Sequence, residues 1–290
     1  MAIYSDTAVC LRHHDYSETS QVLTLLAREH GIVRLIAKGL KRSTRTRVTV
    51  GVDLLEMGSV VWSAGPAASE GRLSTLREWR QREVFPNIRK DLSAIVAGQY
   101  ACELLLSLLP ENDPYPELFD VLGKFLGHIG PGKDNLAALV RLMWLVLHYT
   151  GHLPQWQRCG ACGGAVEEGA SFGLNVGGAV CRNCASRVLQ RIRVDPPLAA
   201  ALRIGRPERV PAKGFLLLDA YVVHLAGRSL RTHDAVRNTF FKRPAAPPAQ
   251  SAPAAPANEP DRIQPPAPPA PATDTPRPAF GSAKGDSDVR

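Results

Sequence analysis

The chain lacks the segments that direct a protein to secretion or into a membrane. Its first residues, MAIYSDTAVC, contain no basic region followed by an apolar one, as a signal peptide requires. The most apolar run, Leu136 to Tyr149, is too short to cross a bilayer and contains Arg141 and His148. We therefore expect this run to be a buried core helix, and we expect a cytoplasmic protein with no membrane role.

Recognisable catalytic motifs are also lacking. There is no HExxH zinc-protease motif, and the eight histidines are scattered without a recognisable nucleophile and base pair. GHIGPGKD, residues 127 to 134, has the G-x4-G-K spacing of a phosphate-binding loop, but Asp134 stands where Ser or Thr would reach magnesium. The segment also follows a predicted helix instead of a strand, so we interpret it as a turn in which Asp134 caps the next helix. The sequence predicts a protein that is not an enzyme.

What the chain has in excess is positive charge. Lys and Arg total 35 against 27 Asp and Glu, which gives a formal net charge of +8 and a pI near 9.4. Such a balance favours a polyanionic partner, with nucleic acid as the first candidate. Its 290 residues, 44% of them hydrophobic, can form one large domain or several small ones, each with its own core.

Short β-strands are predicted over residues 1–82. The segments TAVCL, QVLTLLAR, GIVRLIAK, RVTVGVDLLEMGSVVW and RLSTLREW give about five strands, the fourth of which should break near Gly51 or Gly58. Five short strands in this length indicate a small barrel. Among small barrels the OB-fold has five strands and holds nucleic acid on its strand face and connecting loops.

Helical periodicity begins after Pro86. Asn87 is placed to cap a helix that Pro110 ends, a second helix follows Pro116, and Asp134 begins a third, very apolar helix that ends at Gly151. We expect these helices to build the core of a second domain, residues 83–243, with the third helix at its centre.

Residues 244–290 differ sharply in composition. They contain 13 of the 24 prolines, interleaved with Ala, and few large apolar residues. Such a segment cannot bury a core, so we expect a disordered Pro/Ala-rich tail that acts as a linker or tether.

Four cysteines form the most specific motif. Two Cys-x2-Cys pairs are separated by eighteen residues, and such pairs direct four soft ligands at one point. The predicted ligands are Cys159, Cys162, Cys181 and Cys184, within a zinc-binding segment at residues 156–187. Four thiolates leave no position for a catalytic water, so we expect one structural zinc ion, although redox dithiols and an iron-sulfur cluster remain alternatives. The two other cysteines, Cys10 and Cys102, are predicted core residues.

Basic residues concentrate in three sets. From residue 28 to residue 47 there are seven cations and one acid, and the loop KGLKRSTRTR combines cations with hydroxyls, which are the groups that contact phosphates. A second set surrounds Trp79 on the fifth strand, where that ring offers a possible stacking surface. A third set, Arg182, Arg187, Arg191 and Arg193, follows the cysteines. The predicted DNA-binding residues are Arg34, Lys38, Lys41, Arg42, Arg45, Arg47, Arg72 and Arg77.

With these motifs in order, the chain resembles the family of the bacterial recombination mediator RecO. The resemblance is carried by AVCLRHHDYSETSQVLTLLAREHGIVRLIAKGLKRS, DLLEM, LLLSLLPE, PYPELFDVL and GHLPQWQRCGACG. It covers about residues 1–235 and excludes the proline-rich tail. It implies an α+β multidomain protein: an N-terminal five-stranded OB-fold β-barrel followed by an α-helical domain with an inserted four-cysteine zinc knuckle.

The resemblance also implies a function. RecO-like proteins bind single- and double-stranded DNA, anneal complementary strands, and help RecA replace single-stranded-DNA-binding protein, with RecR as partner. They have no catalytic centre, they act at the nucleoid, and the acidic C-terminal tail of single-stranded-DNA-binding protein docks on their helical domain.

Two other classes of function are compatible with the residues. An RNA- or translation-associated OB-fold zinc-ribbon protein would prefer RNA over single-stranded DNA of equal length. A zinc hydrolase would need an open ligand position, with a residue such as His152 replacing one thiolate.

Overall fold

The computed structural model describes residues 2–39, 51–64, 73–167 and 169–241. In these ranges five strands come first, and helices with three further short strands follow. The elements are β1 Ala2–Ser17, β2 Ser20–Ala27, β3 Gly31–Ala37, β4 Met57–Ala64, β5 Ser74–Glu83, α1 Leu92–Leu108, α2 Pro116–His128, α3 Asn135–Tyr149, β6 Ser171–Gly173, β7 Gly178–Val180, α4 Arg182–Ala185, β8 Arg191–Arg193, α5 Pro196–Ile204, α6 Gly214–Ala226 and α7 His233–Phe240.

The first five strands close into a barrel with the order β1-β2-β3-β5-β4. β1 closes it, because residues 2–9 pair with β4 while residues 8–17 pair with β2. All strand pairs are antiparallel except β3 with β5, which is parallel. This is the predicted five-stranded OB-type barrel. The prediction placed β1 only at residues 7–11, because its two ends are polar and exposed and give no hydrophobic pattern.

Alternating residues of the strands fill the barrel, as the two-residue period of a strand requires. The interior cluster consists of Ala8, Cys10, Leu23, Leu25, Ala27, Val33, Leu35, Ala37, Val52, Val60 and Trp62. Cys10 is therefore a core residue as predicted, and burial raises the pKa of its thiol.

The fourth strand was expected over residues 47–62, with a break near Gly51 or Gly58. β4 runs from Met57 to Ala64, residues 54–55 form a turn, and residues 47–50 lie outside the described ranges. Leu55 has a left-handed φ of 66° and its N–H donates to the Cys10 carbonyl at 2.9 Å. Its side chain is buried in the cluster that contains α1. The apolar pair in DLLE therefore joins the barrel to the helices instead of extending the strand.

The three predicted helices are present, with one difference at the first. Asp91, not Asn87, caps α1, because its side chain accepts from the Ala94 N–H at 2.9 Å. Asn87 precedes a short 3-10 turn and makes no capping hydrogen bond with its side chain. Asp134 caps α3 as predicted, accepting from the Ala137 N–H at 2.9 Å, and GHIGPGKD contains the end of α2 and the turn that leads to α3.

One hydrophobic cluster joins the outer face of the barrel to the helices. Val9, Leu11, Leu26 and Ile32 belong to the same buried cluster as α1, α2, α3 and α6. α3 packs against α1, α2 and α6, which confirms its central position. β5 ends beside the predicted boundary between the barrel domain, residues 1–82, and the helical domain, residues 83–243. The apolar core nevertheless contains residues from both sides of this boundary.

Helices α5, α6 and α7 were not predicted from the sequence. α7 is held by Glu103 of α1, whose carboxylate accepts from the N–H groups of Arg231 and Thr232 at 2.9 Å each. Tyr100, also on α1, donates to buried Asp219 of α6 at 2.8 Å. The positions of α6 and α7 therefore depend on contacts between residues more than 100 positions apart. Local periodicity in the sequence does not predict such contacts.

Across the described ranges, no helix combines the length and apolar character needed to span a bilayer. The predicted disordered tail, residues 244–290, lies outside the described residues.

Candidate nucleic-acid interface and metal site

The predicted DNA-binding residues fall partly within the described structure. Arg34 lies on β3, Lys38 follows that strand, and Arg77 lies on β5; all three are exposed. β3 and β5 are hydrogen bonded to each other, so the structure brings the first and second basic sets onto neighbouring strands. Five predicted residues lie outside the described ranges: Lys41, Arg42, Arg45, Arg47 and Arg72.

Arg34 has a partner within the protein. Its guanidinium lies 3.7 Å from the carboxylate of Glu111, in the segment that precedes α2. The nearby Ile32 accepts a backbone hydrogen bond from Asn112 at 3.0 Å. Both side chains of the ion pair are about half exposed, so the pair contributes little to stability. A DNA contact by Arg34 stays a prediction, and such a contact would compete with Glu111.

The second basic set differs from expectation at Trp79. The Trp79 ring is half-buried and packs against the barrel core, and does not stand free as a stacking surface. Gly58 permits this position, because a Cβ there would lie 2.7 Å from the ring. Arg77 donates from Nε to the Ser63 hydroxyl at 2.9 Å, which fixes the guanidinium close to β4.

A polar groove lies at the turn between β1 and β2. It has a volume of about 320 Å³ and is bordered by the end of β3. Tyr16 is 69% exposed and is the aromatic residue of this groove. The residues that line it are Tyr16, Ser17, Thr19, Ser20, Ile36, Lys38 and Gly39. The prediction included Lys38 but not Tyr16, because a single Tyr in a turn carries no periodic or spacing signal.

The four cysteines meet at one point. Their sulfur atoms all lie within 4.8 Å of one another, and the Sγ atoms of Cys162 and Cys181 are 3.9 Å apart. A tetrahedral zinc–thiolate site with bonds of about 2.3 Å has sulfur atoms about 3.8 Å apart. The arrangement therefore fits a tetrahedral metal ion. All four predicted ligands belong to the cluster.

Two local turns produce this convergence. At the first pair, Gly163 donates its N–H to the Cys159 carbonyl at 2.7 Å and has a φ of +71°, which suits glycine. At the second pair, Cys181 precedes α4 and its carbonyl accepts from Cys184 at 3.1 Å. Each turn directs both sulfurs of its pair to the same side.

Backbone donors favour a thiolate at Cys159. Burial by itself raises the pKa of this thiol, but the N–H groups of Cys181, Ala161 and Cys162 outweigh burial and lower the pKa from 9.0 to about 6. The thiolate is the form that binds metals. Cys159 is therefore prepared for a metal ion, whereas hydrogen bonds with the sulfurs of Cys162 and Cys181 raise the pKa of Cys184 to about 12.

The metal segment is attached to the helical core through aromatic rings. Trp156 stacks on Phe172 of β6 with ring centroids 6.2 Å apart, and Phe172 meets Tyr221 of α6 edge to face at 5.2 Å. Trp156 and Phe172 are 1% and 0% exposed. A metal ion here would hold the segment that supplies these two core residues, which is a structural role.

The third basic set surrounds this segment. Arg191 donates to the carbonyls of Ala185 and Val188, the latter at 3.0 Å, and so supports the loop after α4. At least one member of this set, Arg191, is therefore held by backbone carbonyls of the cysteine segment and has a structural role.

The geometry favours neither the zinc hydrolase considered above nor a serine hydrolase. His152 lies 3.2 Å from the Thr150 hydroxyl through Nδ1, and the described metal cluster consists of cysteines alone. The expectation that the chain lacks catalytic motifs is wrong in one respect, because residues 169–173, GASFG, have the G-x-S-x-G spacing of a hydrolase nucleophile turn, which joins a strand to a helix. Ser171 instead lies in β6, between β7 and β8.

A second groove lies between α2 and α3. Its volume is about 280 Å³, its floor is apolar and its rim is basic. The floor contains Val121, Phe125, Ala138, Leu142 and Leu145, and the rim contains Lys124, His128 and Arg141. Among the described residues, Arg141 has no carboxylate partner within 4.0 Å. Sequence periodicity assigned its apolar residues to the core and did not identify the groove.

Two family models match the chain, one over the barrel and one over most of the helices. The model described as the N terminal of recombination protein O matches residues 1–85, and the model for its C terminal matches residues 89–206. The chain belongs to the RecO family. The match confirms the resemblance stated from the sequence motifs, and the barrel, helices and cysteine cluster agree with it.

Full-length relatives support the same assignment. The DNA repair protein RecO of Myxococcus xanthus is 30% identical over 249 residues, which are 81% of this chain and 97% of the relative. That of Anaeromyxobacter dehalogenans is 31% identical over 252 residues, 77% of this chain and 92% of the relative. That of Rhodopirellula baltica is 35% identical over 181 residues, which are 61% of this chain and 65% of the relative. Family membership supports a DNA repair function for this RecO-family protein.

Proposed function

We propose that this RecO-family protein binds single- and double-stranded DNA, anneals complementary strands, and assists RecA loading onto DNA coated with single-stranded-DNA-binding protein, together with RecR. One observation carries the proposal. An OB-type barrel has Lys38 at the exposed end of β3, where the chain enters the basic segment 41–47. OB barrels bind single strands with such cationic surfaces.

Annealing of this kind requires no bond to be made. A basic surface that holds two polyanionic strands neutralises their repulsion and raises their local concentration, and base pairing then supplies the specificity. The protein therefore needs no catalytic centre, and we propose that it is not an enzyme. It acts on chromosomal DNA at the nucleoid.

The metal belongs to this proposal as a structural element. Four converging sulfurs favour zinc, and the rings of Trp156 and Phe172 connect the cysteine segment to the helical core. Zinc would stabilise this connection and would not contact the DNA. If the four cysteines held an iron-sulfur cluster, the protein would be coloured. If they acted as redox dithiols, they would form reversible disulfides.

The test of the proposed function is an annealing assay. Complementary fluorescent strands are coated with single-stranded-DNA-binding protein, and the purified full chain is added across a salt series. We expect faster annealing that fades as salt rises, because phosphate contacts release counterions. No acceleration at low salt, with the fold intact, would contradict the proposal. Tighter binding to RNA than to DNA of equal length would instead support an RNA-associated function.

The groove between α2 and α3 is our candidate site for the tail of single-stranded-DNA-binding protein. An acidic peptide tail offers two kinds of group: carboxylates, including that of its C-terminus, and the side chains of its last residues. The apolar floor of the groove can accept side chains while Lys124 and Arg141 on its rim attract carboxylates. The sequence resemblance implies a docking site for this partner on the helical domain, and the chemistry of this groove is complementary to an acidic peptide.

Arg141→Glu should therefore weaken binding of this peptide. Because a hydrogen bond to a charged group is lost and a repulsion is added, the dissociation constant should rise at least about tenfold. Fluorescence anisotropy of the labelled acidic peptide measures it. Arg206→Glu, an equal charge change at an exposed residue that does not line the groove, should leave the affinity within about twofold. Equal effects of the two variants would show that only overall charge matters.

A further inference from the structure

Tyr16 occupies an unusual position in the barrel. The register of β1 with β2 shifts between Asp15 and Ser17, so Tyr16 is the extra residue of a β-bulge. Bulges re-aim side chains and are common beside binding sites. The result is a Tyr that is 69% exposed next to a tight turn, although the neighbouring strand β2 is buried along its whole length.

The groove beside Tyr16 combines three kinds of group. Tyr16 and Ile36 supply a flat ring and an apolar side chain, Lys38 supplies a cation, and Ser17 and Thr19 supply hydroxyls. A nucleotide has the complementary parts: a base with a flat apolar face and a charged phosphate. The volume of about 320 Å³ is comparable to that of small-ligand sites.

The groove is also next to the proposed DNA-binding segment along the chain. Lys38, which lines the groove, comes three residues before Lys41, the first cation of the basic segment 41–47. We propose that Tyr16 stacks on an unpaired base while Lys38 contacts an adjacent phosphate. This inference rests on the proposed DNA-binding function and makes it more specific, because it assigns the recognition of unpaired nucleotides to one residue.

Selectivity for single strands follows from the stacking. In a duplex both faces of an interior base are already stacked on neighbours, so no face is free for Tyr16. An unpaired base has a free face, and aromatic stacking of this kind is independent of base identity. Phosphate contacts, in contrast, serve single strands and duplexes alike.

Tyr16→Ala tests the proposal. We expect the dissociation constant for a labelled single strand of about 20 nucleotides to rise about tenfold, and that for the matching duplex to change by less than about twofold. Tyr16→Phe retains the ring and should bind both substrates like the wild type. Tyr149→Ala, which removes another partly exposed Tyr at the end of α3, is the matched control and should have no effect.

A single strand of the same length without bases separates stacking from phosphate contact. On this strand the wild type and Tyr16→Ala should bind equally, because no base is present to stack. Equal losses on single strand and duplex, or no loss on either, would overturn the role of Tyr16. So would unchanged DNA affinity combined with weaker RecR association, which would make the groove a protein site. If the wild type binds no DNA at all, the proposed function itself fails.

Discussion

Reversal of three charges in the β3–β4 segment should abolish most of the DNA affinity. We expect Lys41→Glu, Arg42→Glu and Arg45→Glu together to raise the dissociation constant for single-stranded DNA by about 10- to 100-fold at low salt. Each lost phosphate contact should also reduce the slope of log affinity against log salt by about 0.7, hence by about 2 for three contacts. The loss should be equal for all base sequences. Anisotropy titrations at several salt concentrations measure both quantities.

A variant with the same change in net charge controls for nonspecific attraction. Arg206, Arg209 and Lys213 are exposed residues around the start of α6, so replacing them with Glu changes the total charge equally. This control should keep a salt slope close to that of the wild type. If the segment variant kept the wild-type affinity and slope, the assignment of the segment would be wrong. If both variants lost affinity equally, the barrel would have no special role.

Removal of the metal should have the second large effect. Cys159→Ser with Cys162→Ser removes two of four ligands, and we expect loss of the zinc ion and a melting temperature lower by about 10 °C or more. Trp156 and Phe172 belong to the helical core, so protection from hydrogen exchange should fall first in residues 156–193 and α6. The barrel strands should lose protection later. Metal analysis, thermal unfolding and hydrogen exchange measure these effects.

Cys102→Ala is the matched cysteine control. Cys102 is 3% exposed on α1, and burial raises the pKa of its thiol to about 12, so it is a core residue and not a metal ligand. This variant should retain one zinc ion per chain and lose stability only through the small cavity. A double serine variant without zinc that melts like the wild type would contradict the structural role of the metal.

A structural feature can be predicted from the sequence when the interaction that produces it joins residues close together in the chain. The Cys-x2-Cys pairs and Asp134 act within a few residues, so their spacing predicted the ligand cluster and the helix start correctly. Asn87 shows the limit even at short range. Both Asn87 and Asp91 suit a helix cap, and the chain forms a 3-10 turn before α1 begins.

Contacts between distant residues were not predictable in the same way. Arg34 resembles a free cation in the sequence, but the fold places Glu111 beside it. Trp79 resembles an exposed stacking ring, but the absence of a side chain at Gly58 lets it pack on the barrel. In each case the partner lies on another element, and only the folded chain shows which side chains meet.

By itself the sequence determined the five barrel strands, the first three helices, the four cysteines that cluster, the excess of positive charge and the family resemblance. These properties follow from composition, periodicity and short spacings, which a linear chain displays directly. The tertiary structure decided how β1 closes the barrel, which rings anchor the cysteine segment, and that Tyr16 and Lys38 share one groove. Those features depend on strand register and on packing between elements, and a change of one residue in register would separate the groups concerned.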